Sequence, residues 1–514
     1  VYAPGAAFNL PVVPFDAPFT VGLEMFTEPG CAGTADAVGQ SNPTSISSKQ
    51  QTSQKVYVPV SPIGLFVPTT SAVSAQATNP ASPRLGASAT LLPDGRVVVI
   101  GGARLKNAGV GLFDNPQEDR RPWDVLDNIE EIYDTVEVYD SATGVWQSYD
   151  TNEASPQTLF YRRAFHQAVH LPGLNLIAIV GGYQQAQVGS PIEPSVYVEF
   201  FDPTTGVFLA PDYAGGMTLP RVGHSASALT YFANGAPREY ILVVGGRGSQ
   251  AASSYEVLGI TKDDPTTSAR ENVLVFAPLP NSRHDHKAVM VENSAGDRQI
   301  FFVGGEDAND NLTGAVDIYQ VDTEDNNPGF LEVPGFQAPT GIEVPRIGHD
   351  VVYVAPGTPG LNAGVYVFGG FIDSERTKLA TRIEVLDRSS GVGLAPAANN
   401  FNLNTGRAYH AAAVLPSGQI LVTGGVQYDG GKLRPVSSNE YIDRVRNAAS
   451  GEWEIRALTA SSMISQRFHH LAVGLPNGQG LVLGGLLKLE DDVRMVGGQA
   501  TDQGSEWVSF RLSE

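Results

Sequence analysis

RAYHAAAVLPSGQILVTGG, residues 407–425, holds the grammar that decides the fold. An arginine and, three positions on, a histidine open a run of small apolar residues. Pro-Ser-Gly is a turn, because proline presets φ and glycine takes positive φ at no steric cost. The run that follows is apolar without alternation, as a strand covered on both faces requires. Two glycines then allow a close backbone approach or tight bend that a Cβ would block.

The same order recurs along the chain. Diglycines end apolar runs at Gly102, Gly182, Gly246, Gly305, Gly370, Gly425 and Gly485, a mean period of about 64 residues. Upstream stand Arg84, Arg163, Arg221, Arg283, Arg346, Arg407 and Arg467, each opening the histidine-bearing run. Downstream lie strands with acidic and aromatic residues and turns such as DSATG and DPTTG, followed by Trp146, Phe208 and Trp453, large enough to wedge between neighbouring units. Each unit reads as a four-stranded sheet that cannot cover both faces alone. A closed ring solves that and leaves only short sheet edges.

Arg-x-x-His, LPDG, an apolar run with Gly-Gly, and VYD-x-x-TG-x-W, repeated together, resemble the Kelch β-propeller family over roughly residues 84–514. The resemblance implies an all-β, seven-bladed propeller with blades starting near 84, 163, 221, 283, 346, 407 and 467. In such propellers strands from both chain ends share one blade. Residues 56–70, VYVPVSPIGLFVPTT, are expected to supply the strand that completes the last one, the competing reading being a hairpin packed elsewhere. Residues 1–55 fall outside the repeat, and their small polar composition predicts a short irregular arm, docked on the propeller or on a neighbouring subunit.

Charge and composition narrow the function. With 33 Lys+Arg against 54 Asp+Glu the net charge is −21, which disfavours nucleic acid and anionic membranes. No apolar stretch is long enough for a membrane span. A chain starting at Val1 with a single cysteine, Cys31, suits an exported protein whose signal segment has been removed: periplasmic, cell-surface or extracellular. A lone thiol allows no internal disulfide framework.

Six histidines, His166, His224, His286, His349, His410 and His470, share one repeat position, where Ala87 stands in the first unit. One per unit suits a structural role, bonding buried backbone groups. His284 and His469 are additional. The seven arginines would form a collar around one mouth of the channel. They either pair with carboxylates or carbonyls of adjacent blades, or offer a site for an anion or acidic peptide, as in Kelch proteins with an arginine-lined face.

Tyr409-His410 is similar to the copper-ligand pair of the galactose oxidases, a family with this architecture. Gly86-Ala87 stands where that chemistry would want a different residue set, and Cys31 lies far upstream, so copper is not expected. Asp307, Asn309 and Asn311 have the alternating oxygen spacing of a calcium loop, although Leu312 replaces the usual glycine and no glutamate closes the loop. The acidic insertion Asp114–Asp134 suits a partner contact or a plain solvated loop. The reading is a non-catalytic module for protein–protein interaction or structural assembly, partnered by other subunits of a surface or envelope assembly. Its alternatives are a carbohydrate-active or copper-radical enzyme working at the propeller mouth, and a glycan-binding module. Carboxylates converging with arginine at one mouth would favour the carbohydrate reading.

Overall fold

A computed structural model describes residues 19–25, 37–44, 60–62, 65–69, 84–105, 129–148, 158–209, 216–233, 236–264, 268–292, 298–321, 340–358, 360–386, 401–429, 432–446, 453–489, 492–495 and 505–509, with a few single residues besides. Seven antiparallel sheets follow one another along the chain. Their first strands begin just past the Arg-x-x-His element: Ser88–Leu91, Gln167–Leu171, Ser225–Ala233, Lys287–Glu292, Asp350–Val354, Ala411–Val414 and Leu471–Gly474. The second strand is the apolar run before each diglycine, fully buried in Leu176–Val180, Gly364–Phe368 and Gln479–Leu483. Third strands run from Val136–Asp140 in the first sheet to Ser505–Ser509 in the last.

The first strands neighbour one another in a closed circuit, the last of them, Leu471–Gly474, lying beside Ser88–Leu91 of the first sheet. Apolar clusters fill the gaps between sheets. Val98 and Ile100 meet Ile177 and Ile179 between the first and second. Leu475, Leu481 and Leu483 meet Val97, Val99 and Tyr139 between the last and first. Burying each such side chain contributes about 1.5–3 kcal/mol, and neither sheet of a pair could do it alone. The chain is an all-β propeller.

The diglycines join the blades. The first glycine of each pair is left-handed, and a Cβ at Gly101 or Gly369 would lie 2.2 or 2.3 Å from the backbone carbonyl of Arg163 or Arg407 in the following blade. The second glycine donates its N–H to that same carbonyl, as from Gly102 to Arg163 and from Gly370 to Arg407, both at 2.8 Å. The series closes with Gly485, whose N–H points to the Arg84 carbonyl at 3.4 Å. The repeat glycines are therefore a seam between blades.

Val67–Pro68 pairs with Ser505–Ser509 as the outermost strand of the last sheet, through Trp507 opposite Val67 and Glu506 opposite Pro68. Val60–Pro62 goes elsewhere: it pairs with Ala37–Gln40, which pairs with Gly22–Met25. This small sheet is tied to the first blade, where buried Asn42 donates through Nδ2 to Ser141 Oγ at 2.9 Å. Phe208 is buried between the first two blades and Trp146 packs between the last and first. Cys31, residues 114–128 and the side chain of Trp453 lie outside the described residues. Among those residues no helix is long and apolar enough to cross a membrane.

Candidate functional site

The arginine collar turns inward. All seven arginines are buried, with at most 4% of the residue exposed. Each sends Nη1 to the carbonyl of the first glycine in its own blade's diglycine, for example Arg163 to Gly181 at 2.8 Å and Arg407 to Gly424 at 2.8 Å. Nη2 pairs with a carboxylate on the third strand of the same blade. These pairs are Arg84–Glu137, Arg163–Glu199 (2.9 Å), Arg221–Glu256 (2.8 Å), Arg283–Asp317 (2.6 Å), Arg346–Glu384 and Arg407–Glu440 (2.7 Å). For Arg467 the register sets Glu506 opposite Val482, as Glu440 stands opposite Val422.

The partner is thus the arginine's own blade, where an adjacent one was expected. The carboxylate's other oxygen caps the loop leading to the arginine, as when Glu199 accepts from the Phe160 N–H at 2.7 Å. The Nη groups named are thus turned into their own blades. Burial pulls Arg163 and Arg221 below the usual guanidinium range, against the attraction of their carboxylates.

The repeat histidines are buried wedges. His166 Nε2 meets Ser88 Oγ of the preceding blade at 2.8 Å, His286 meets Ser225 Oγ at 2.8 Å, and His349 meets the Val303 carbonyl at 3.1 Å. Burial, reinforced by the neighbouring repeat arginine, lowers His166, His224 and His349 to about 3. They are neutral structural groups at ordinary pH. Inside their ring lies a cavity of about 470 Å³ along the axis, within the range of small-molecule sites.

One layer of this ring departs from the repeat. The residue after each arginine meets the residue after each diglycine across a short bridge. Five pairs are apolar: Leu85/Ala103, Ala164/Tyr183, Ile347/Phe371, Ala408/Val426 and Phe468/Leu486. All ten of these residues belong to one buried cluster. In the third blade the pair is Val222/Arg247, and in the fourth it is His284/Glu306.

The polar residues of that sector bind one another. Asp285 Oδ2 accepts from Arg247 Nη2 at 2.5 Å and stands 2.8 Å from His284 Nδ1. Glu306 Oε1 accepts from Arg376 Nη2 at 2.7 Å, and the Arg376 carbonyl accepts from the Tyr428 hydroxyl at 2.6 Å. Asp310 Oδ1 lies 3.1 Å from His284 Nε2. Removing so many charges from water is costly unless they are paired.

Of this sector, Asp285 lines the cavity. The position before each repeat histidine, or before Ala87 in the first blade, is left-handed: Gly86, Phe165, Gly223, Asp285, Gly348, Tyr409 and His469. Glycine takes that backbone freely; the other four do so under strain, a feature that collects at functional sites. Their side chains lean over the preceding blade. A Cβ at Gly223 would sit 2.2 Å from Asp285 Oδ1, and one at Gly348 would sit 2.9 Å from the Tyr409 ring. The Tyr409 and His469 rings lie against each other tilted by 36°, with centroids 4.1 Å apart. Burial raises the Tyr409 phenol to about 12, opposed by its bond with Arg376. His410 lies at a different level, with its ring against Gly369, and no described residue bonds either of its ring nitrogens.

The expected calcium loop is organised differently. Asp307 Oδ1 accepts from the backbone N–H groups of Asn309 (2.8 Å) and Asn311 (3.0 Å), and the Asn311 amide also turns onto Asp307. Asp307 is thereby a turn-forming side chain. The residues from this hairpin that converge with His284 are Glu306 and Asp310.

No family model matches the chain, and no curated protein does. Among solved structures, a fungal alcohol oxidase of the AA5 family, described as catalytically diverse and in complex with copper, is similar. It is 14% identical, the match covers 87% of this chain and 76% of that one, and the TM-score is 0.49. The propeller rests on the strands, and the site on the residues, described above. Of these, sequence reading singled out His284, His469 and Tyr409. Arg247, Asp285 and Glu306 emerge when the residues flanking each arginine and diglycine are compared blade by blade, and Asp310 and Arg376 only through their contacts with His284 and Glu306.

Proposed function

We propose that the protein binds a carbohydrate, a sugar or short glycan, at the mouth of the propeller channel. The observation that carries this reading is the polar sector of the third to fifth blades, set in a ring layer that is otherwise apolar. Asp285 lines the cavity and is held in place by Arg247, and the rings of Tyr409 and Phe165 line the same cavity. No described residue donates to Asp285 Oδ1, although that carboxylate is buried and lines the cavity. A hydroxyl delivered by a ligand would satisfy it. The volume suits one or two sugar units.

The test is a glycan-array screen followed by calorimetry on the best hits. Wild type should bind, and Asp285→Asn should weaken binding by about 1.5–3 kcal/mol, the value of a hydrogen bond to a charged group. Undiminished binding in that variant would overturn the placement of the site.

A second reading, protein–protein contact, has its own observation. Ser268–Pro278, the outermost strand of the third blade, is eleven residues long and exposes Val273, Leu274 and Phe276. A long apolar edge strand is a ready template for another chain. Replacing the three by serine or threonine should abolish any self-association seen by light scattering. An exported location, suited to either reading, agrees with the acidic composition and the single cysteine.

A further inference from the structure

We propose that His284, Glu306 and Asp310 form a binding site for a divalent cation of borderline softness, Zn²⁺ or Mn²⁺. Each offers one ligand atom, and the three atoms lie within 4.8 Å of one another. His284 and Glu306 are buried at the base, whereas the Asp310 side chain is 59% exposed and leaves a path for entry.

The surroundings are built as ligand support. Asp285 Oδ2 sits 2.8 Å from His284 Nδ1, and Asp310 Oδ1 lies 3.1 Å from Nε2; in the tautomer that donates from Nδ1 to Asp285, the Nε2 lone pair faces Asp310. Two acceptors at that distance repel unless a proton or a cation lies between them. Carboxylates that orient a metal-bound histidine in this way are a common outer-shell device. Arg376 grips Glu306 through Oε1, and Glu306 Oε2 lies 4.0 Å from His284 Nδ1. Asp310 is held in a left-handed conformation (φ 61°) by the turn that Asp307 organises. Asp307 is a positioning residue here.

One imidazole nitrogen with two carboxylate oxygens suits Zn²⁺ or Mn²⁺, while Ca²⁺ prefers six to eight oxygens. The proposal does not rest on the carbohydrate reading, because its probe is the metal alone.

The experiment strips the full chain with chelator and titrates it with Zn²⁺ by calorimetry, with Mn²⁺ followed by electron paramagnetic resonance. One ion per chain is expected. Asp310→Asn, at an exposed position that should not disturb folding, is expected to lose most of the affinity. Asp285→Asn should lose roughly 10–100-fold, as for other outer-shell partners. Equal affinity in Asp310→Asn would overturn the proposal. So would nitrogen NMR of the stripped protein in which His284 keeps protons on both ring nitrogens at neutral pH whether or not Zn²⁺ is added, since an imidazolium would then fill the gap.

Discussion

The fourth and fifth blades share one backbone plan and differ in what fills it. After the repeat arginine the fifth has Ile347-Gly348 and, past the diglycine, Phe371, all inside an apolar ring. At the same places the fourth has His284, Asp285 and Glu306, knit to Arg247 and Arg376 by charged bonds. Each blade serves as a control for the next. Where the ring is apolar the layer only closes the fold. Where it turns polar it carries strain and desolvation that closure does not need, and that excess marks a site.

The comparison is sharpest where both regions should respond alike. Arg163→Ala, beside apolar blades, and Arg283→Ala, inside the polar sector, each leave a buried carboxylate uncompensated. Denaturant unfolding should show losses of about 3–5 kcal/mol in both. A much smaller loss at either would mean that the arginine layer is not one structural system.

The glycine seam comes next. At Gly369 an alanine Cβ would meet the Arg407 carbonyl at 2.3 Å with φ at 55°, whereas Gly189, with φ at 85°, has nothing within 4 Å. Gly369→Ala should cost about 1–3 kcal/mol or more, and Gly189→Ala only the backbone strain at the lower end of that range. Equal melting temperatures would refute the seam.

Acid should weaken both regions together. Folded-state pKa values of about 3 for His166, His224 and His349 lie below the usual 6.5, so the unfolded chain takes up protons first. Their contribution is whole above about pH 6.5 and is lost as pH falls toward 3, at about 1.4 kcal/mol per pH unit for each histidine. Denaturation midpoints at pH 7 and pH 5 would check this. A flat profile would place those imidazoles in water.

Most of the fold was legible in the sequence because its determinants are local and repeated. The apolar runs, turn glycines and diglycines each state a backbone requirement that recurs with every blade. Val60–Pro62 was harder, since a short alternating run carries no record of which strand it joins. The arginines show the limit for function: their spacing was plain, but whether a guanidinium faces a channel or a buried carboxylate depends on the third strand, some 33–53 residues further along the chain. The polar sector was present in the letters at Arg247, Asp285 and Glu306, and became visible only once bridges such as His284 to Glu306 had aligned the two halves of each layer.

The most direct measurement is the unfolding free energy of a variant that makes the polar sector apolar, with the fifth blade's residues at three fourth-blade positions: His284→Ile, Asp285→Gly and Glu306→Phe, together with Arg247→Leu and Arg376→Ala. If the sector serves a ligand, stability should stay within about 1 kcal/mol of wild type or rise, as when buried ion networks become apolar, while glycan binding disappears. A loss of several kcal/mol with glycan binding retained would show that these charges hold the propeller together and do not form its site.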